Sequence, residues 1–148
     1  MMETSQSEIL RQILSDGSFT SIPNVGSVWP CFVGHLPDGG DMVDNAICIY
    51  DEQLEKNGRL MRSGETILHY AVQILLRTTH QDQGWLKLSQ IANYLDSLVN
   101  LSVTVGSDSF VLLSATQRQG INALGIEDRE PQRRFFFDAK YILSIKDI

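Results

Sequence analysis

The side chains able to do chemistry are few and scattered. Histidines stand at His35, His69 and His80, and cysteines at Cys31 and Cys48. None of them falls at a catalytic or ligand spacing. The chain has no GxSxG elbow, no HExxH pair, no phosphate-cradling glycine loop and no GxGxxG fingerprint. Cys31, His35 and Cys48 come nearest to a metal set, but no paired CxxC spacing accompanies them. Reduced thiols in apolar surroundings are expected, with no metal and no organic cofactor. His69 falls on the mixed face of a strand-like run, where a satisfied or exposed histidine outweighs a general base. Glu127 and Asp128 are adjacent, with Arg129 beside them, which describes a solvated cluster better than a separated acid–base pair. The sequence reads as no enzyme, although distant residues can still build a cleft that spacing does not reveal.

Composition narrows the class. A chain of 148 residues, 43% apolar and 20% charged, suits one domain, 1–148, with a sizeable core. No apolar run reaches the roughly 18 residues of a membrane helix, so no membrane partner is expected. The start, Met-Met-Glu-Thr-Ser, lacks a basic-then-apolar leader, which fits a cytosolic product. The net charge is −6, and it is unevenly placed. Residues 1–57 hold nine acids and two bases, whereas residues 58–148 hold nine acids and ten bases. An acidic chain without a basic stripe is a poor phosphate binder, so sequence-specific nucleic-acid recognition is disfavoured. The asymmetry suits head-to-tail contact between copies, or simply a solvated acidic face.

The elements that must position any site are led by residues 65–99. Leu68, Tyr70, Val72, Ile74 and Leu76 recur every second residue, which predicts a strand with one apolar face. After His80 the period changes. Leu88, Ile91, Leu95 and Leu98 fall at steps of three and four, on one face of a helix. Strand and helix offer two apolar surfaces that can bury each other, and they form the expected core.

Around that pair, Ser5-Gln6-Ser7-Glu8 is a capping box ahead of Ile9, Leu10, Ile13 and Leu14, predicting a helix over 6–15. Pro30 limits the apolar stretch 28–33 to an edge strand or extended segment. Pro37 to Asp41 should be an acidic loop and Ala46 to Tyr50 a short strand. Residues 51–64 are polar, with a possible tight turn at Asn57-Gly58. Leu101, Val103 and Val105 alternate with Ser102 and Thr104, then Gly106-Ser107-Asp108 turns the chain into 110–117. The last strand, 134–145, places Phe135, Phe137, Ala139, Tyr141, Leu143 and Ile145 on one face. The expected fold is α+β: a mainly antiparallel sheet, one main helix packed on it and a short N-terminal helix. Residues 1–43 supply that helix and an extended segment, and 44–148 the strand-helix-hairpin-strand core.

Two stretches stand apart from this background. Residues 119–132 hold Gly120, Gly125 and Pro131 among mixed charges and read as a long loop. That loop carries Ile121, Leu124 and Ile126, either as a contact surface or as a cap folded back on the sheet edge. The second is Arg133-Arg134-Phe135-Phe136-Phe137, in which Phe136 points away from its two neighbours. Its face must be covered by another element or by another subunit. Arg129, Arg133 and Arg134 beside the apolar trio make a candidate partner surface, with Asp38, Asp41 and Asp44 as candidate partners of the arginines.

From about Asp44 to Lys146 the chain resembles the tail-terminator, or tail-completion, proteins of long-tailed bacteriophages, some of them known as minor capsid proteins. The resemblance rests on a long strand like Ile-Leu-His-Tyr-Ala-Val-Gln-Ile-Leu-Leu-Arg and a helix like Trp85 to Leu98. It continues through a hairpin, a loop similar to Leu124-Gly125-Ile126-Glu127-Asp128 and a final strand opened by Arg133-Arg134. It implies a non-enzymatic virion protein of the neck, assembled in the host cytoplasm. Such a protein forms a ring, commonly a homohexamer, on the head-proximal end of the tail tube. Its implied partners are itself, the tail tube protein and the head–tail connector. Another neck or minor capsid component is the alternative of the same class. A small ligand- or peptide-binding α+β domain, or a hydrolase, is the alternative of another, and it calls for a deep apolar pocket with convergent titratable groups.

Overall fold

Strict alternation makes β3, Thr66–Thr78, the middle of the molecule. In the computed structural model, which describes residues 5–17, 19, 29–35, 45–59, 66–129 and 132–147, its even-numbered face is sealed. For residues 53–59, 66, 126–129, 132, 133 and 147 only the backbone is described. Val72, Ile74 and Leu76 are fully buried, Tyr70 nearly so, and Leu68 packs against them. The other elements are α1 (Gln6–Asp16), β1 (Cys31–Val33), β2 (Ala46–Arg59), α2 (Gln81–Asp96), β4 (Val99–Val105), β5 (Asp108–Arg129) and β6 (Gln132–Asp147). They form one six-stranded sheet in the order β1-β2-β3-β6-β5-β4.

The class is α+β, as expected, and the sheet is mixed. β1 runs parallel to β2, while the four remaining pairings are antiparallel. β1 sits at the edge for the reason its proline suggests. Pro30 has no N–H to offer, but its carbonyl accepts from Ile47 N at 3.0 Å.

Both helices bury their stripes in one apolar cluster. α1 contributes Ile9, Leu10, Ile13 and Leu14, and α2 contributes Leu88, Ile91 and Leu95. The sheet supplies Ile47 and Ile49 from β2, Phe110 and Leu112 from β5, and Phe137, Ala139, Tyr141, Leu143 and Ile145 from β6. Each large aliphatic side chain so buried contributes about 1.5–3 kcal/mol before the cost of ordering. The capping box forms as spaced: Ser5 Oγ accepts from Glu8 N, and Glu8 Oε2 accepts from Ser5 N. Gly106, with φ +61°, takes the first central place of the tight β4–β5 turn, a conformation costly for any residue with a Cβ.

α1 is fastened to the sheet at a defect. The β2–β3 register shifts between Asp51 and Leu54, so the ladder opens there. Gln6 fills the opening, its Nε2 donating to Glu52 O at 3.0 Å and Ala71 O at 3.3 Å. Asp51 Oδ1 accepts from Ser7 N at 2.9 Å, placing a carboxylate at the positive end of the helix dipole.

Two sequence expectations are overturned. Residues 119–129 are no loop: they are the distal part of β5, paired with β6 as far as Arg129 opposite Gln132. Residues 51–59 are likewise not a polar connection but the second half of β2. Asn57-Gly58 is a register irregularity within it rather than a turn, since Arg59 pairs with Thr66. In both runs the ladder hydrogen bonds compensate for a polar, glycine-bearing sequence that alternation would not select. The acidic loop with Asp38, Asp41 and Asp44 lies outside the described residues.

Candidate partner-binding surface

The surface begins where β3 hands over to α2. Thr78 Oγ1 donates to Asn45 Oδ1 at 2.8 Å and accepts from His80 N at 3.2 Å, which fixes the bend. His80 is the N-cap without capping through its side chain. Gly84 then lets the first turn of α2 settle on the sheet: a Cβ there would stand 2.7 Å from both the Phe137 ring and the Thr78 methyl. That close approach brings Trp85 edge-on to Phe137, with ring centroids 6.4 Å apart.

Trp85 nevertheless remains half-exposed, and so does Leu86 next to it in the chain. Between Trp85 and the sheet runs an open groove of about 410 Å³, lined by Gln81, Asp82, Trp85, Ala123 and Phe137. Ala123 pairs with Phe137 in the β5–β6 ladder, so the groove follows distal β5. The next residue, Leu124, is half-exposed, and Gly125 after it holds φ +128° at a further register shift.

The residues expected to bind a partner divide accordingly. Ile121 is partly buried against the core, whereas Leu124 is open to solvent. Ile126, Arg129 and Arg133 have strand backbones on the outer hairpin, and Arg134 is half-buried. Trp85 and Leu86 were missed as surface residues. Trp85 lies three residues before Leu88, where helical periodicity alone points to burial rather than exposure. Leu86 lies off the stripe, and that signal alone marks it as exposed.

The opposite face of the sheet carries a polar band. Glu52 meets Arg118 at 3.2 Å and Lys140 at 3.4 Å. β3 and β6 separate Glu52 from Arg118, a gap of about 14 Å in a flat sheet at ordinary strand spacing. Their contact therefore requires long side chains over a curled sheet. Gln73 Nε2 donates to Asp138 Oδ2 at 2.8 Å. Two hydroxyl–imidazole contacts resemble part of a nucleophilic pair: Thr79 Oγ1 with His80 Nδ1 at 2.9 Å, adjacent residues on the exposed bend, and Ser144 Oγ with His69 Nδ1 at 2.9 Å. β6 is laddered on both sides at Ser144, however, so its backbone N–H groups are committed to the sheet rather than gathered as oxyanion donors.

The cysteines do not gather a site. Neither forms a disulfide and both are buried, with Cys31 opposite Ile47 and Cys48 opposite Phe32 in the β1–β2 ladder. Burial pushes the Cys48 thiol up, opposed by hydrogen bonds from Tyr50 and the His35 and Gly34 backbone. Among the described residues no three His, Cys, Asp or Glu side chains surround a common point, and no helix is long and apolar enough to cross a membrane.

No family model and no curated protein matches the chain. Among solved structures, one without a descriptive name is similar over 95% of this chain and 96% of its own, at 15% identity and a TM-score of 0.37.

Proposed function

We propose that this chain is a non-enzymatic ring protein at the head-proximal end of a bacteriophage tail, where it stops tube polymerisation and joins the tail to the head connector. The element order supports the reading, because a long strand, a helix, a hairpin and an arginine-led aromatic strand follow one another as the tail-terminator resemblance implies. The ring is six-fold and its subunits are virion components. The observation that carries the proposal is the apolar surface at the start of α2 and distal β5. Trp85, Leu86 and Leu124 are three of the four large hydrophobic side chains exposed among the described residues. Trp85 lines the groove, and Leu124 directly follows its lining residue Ala123 in β5. Apolar anchors beside polar groups are what a contact surface requires, and a ring subunit needs two different patches of this kind. Leu124→Asp is the test, read in electron micrographs of phage carrying it. Tubes of uncontrolled length, or tails that fail to join heads, are expected. Uniform tails joined to heads would remove this surface from the mechanism, and normal tails after deletion of the whole gene would remove the terminator reading.

A further inference from the structure

We infer that successive copies join end to end along α2: Val99, just past the C-terminal end of α2 in one copy, enters the Trp85 groove at the N-terminal end of α2 in the next. This rests on the ring reading above and names the second of the two patches that reading requires.

Val99 is the fourth exposed large hydrophobic side chain among the described residues, and it is 71% open to solvent. Alternation does not put it there. Val99, Leu101 and Val103 share one parity in β4, and both Leu101 and Val103 pack on the core. Between Val99 and Leu101, Asn100 holds φ +51°, in the left-handed region that side chains rarely adopt. Asn100 takes the chain out of the pleat and leaves Val99 facing water. The position is nevertheless fixed, because Val99 pairs with Ser114 in the β4–β5 ladder. A strained residue that holds an apolar side chain in water gains nothing for the isolated fold, and such strain collects at functional sites.

Knob and groove are kept apart within one molecule. α2 has 16 residues, a length of about 24 Å, with Trp85 in its second turn and Val99 beyond its far end. Between copies, two unlike patches make a heterologous contact, the kind that repeats around a ring. The groove receives the valine between Trp85, Ala123 and Phe137.

Charge makes a second copy the fitting occupant. Beside the groove, His80 supplies no side-chain cap, so the leading N–H groups of α2 present the positive end of the helix dipole. Beside Val99, Asp96 is exposed in a last turn that holds no basic residue, at the negative end of the dipole. Joined head to tail, the acidic end of one α2 faces the positive end of the next. Asp82, exposed in the receiving turn, offsets part of this, so the attraction comes from main-chain donors rather than from a basic side chain.

The experiment uses the full chain. Val99→Cys and Ala123→Cys variants are mixed and oxidised, with association read by light scattering and cross-links by non-reducing gels. The native cysteines are buried and compete little. The mixture is expected to give a cross-linked dimer. Either variant alone, and a mixture in which Ser107→Cys at the β4–β5 turn replaces Val99→Cys, are expected to give none. The double variant is expected to form a covalent ring, in concentrated solution or in purified tails. Cross-linking no greater than with Ser107→Cys in both settings overturns the seam. Val99→Asp is expected to abolish association at an unchanged melting temperature; if it melts early, the cross-links decide. Asp96→Asn is expected to weaken association several-fold, and unchanged association would overturn the pairing of helix ends. The terminator reading survives loss of the seam if deletion of the gene still deregulates tail length.

Discussion

Gly84 and Phe137 touch where no larger residue fits: a Cβ on Gly84 would come within 2.7 Å of the ring. Two effects therefore oppose each other in Gly84→Ala. Helix propensity favours alanine by about 1 kcal/mol. Overpacking against a buried ring and the Thr78 methyl costs about 1–3 kcal/mol. The variant is expected to melt earlier than the parent, with weakened near-ultraviolet dichroism from Trp85. A higher melting temperature would show that the contact yields freely.

Gln6→Ala tests the fastening of α1. It leaves two carbonyls, those of Glu52 and Ala71, without their side-chain donor at the bulge. The expected loss is about 1–3 kcal/mol in chemical denaturation. Gln12→Ala, which removes only an exposed contact with Asp16, is the control and is expected to change stability little.

Leu95→Ala tests the buried face of α2. Leu95 is fully buried in the cluster that includes Val72 and Ile74. The expected cost is about 2–5 kcal/mol, the spread reflecting how far the cavity collapses. An unchanged thermal melt would show that α2 does not rest on this face.

Tyr141 supplies a pH dependence. Its hydroxyl is buried without a hydrogen-bond partner among the described residues. Burial first, and the charge of Asp96 second, push its pKa up to about 12 from the ordinary 10.0. Between those values the unfolded chain releases the proton that the folded chain retains. The associated stability is thus complete below pH 10 and declines as pH rises towards 12. Tyr141→Phe should flatten that alkaline decline and leave neutral stability equal or higher, since no hydrogen bond is lost. Melts across the alkaline range, with tyrosinate absorbance followed in parallel, provide the check. A decline of equal slope in the variant would assign it to other groups.

Much of the fold was legible because local and global signals agreed. Ser5 and Glu8 announced α1, and the alternation of Tyr70, Val72, Ile74 and Leu76 announced the central strand. The unread parts are the outer runs of β2 and β5. Gln117, Gln119, Asn122 and Gly125 sit at register shifts, and each shift resets the period of two that reveals a strand. Asn57-Gly58 has the chemistry of a tight turn, but here it forms an irregularity inside a ladder. For the contact surface, Leu124 was identifiable as an apolar residue in a polar stretch. Trp85 was not, because the same spacing that buries Leu88 predicts burial three residues earlier, and only the packing shows that α2 leaves the indole half uncovered.

The clamp between Gln6 and the bulge also bears on the order in which the molecule closes. The β4–β5 and β5–β6 hairpins join near neighbours in sequence, whereas Gln6 reaches Ala71 across 65 residues and His69 reaches Ser144 across 75. Long loops lose more entropy on closure, so pairing of β3 with β6 and docking of α1 come after the hairpins. α1 has no binding place at the bulge until β2 and β3 are aligned, because Gln6 bonds to a carbonyl on each. α1 thus precedes the strands in the chain but seats after them, as the latch on a finished sheet.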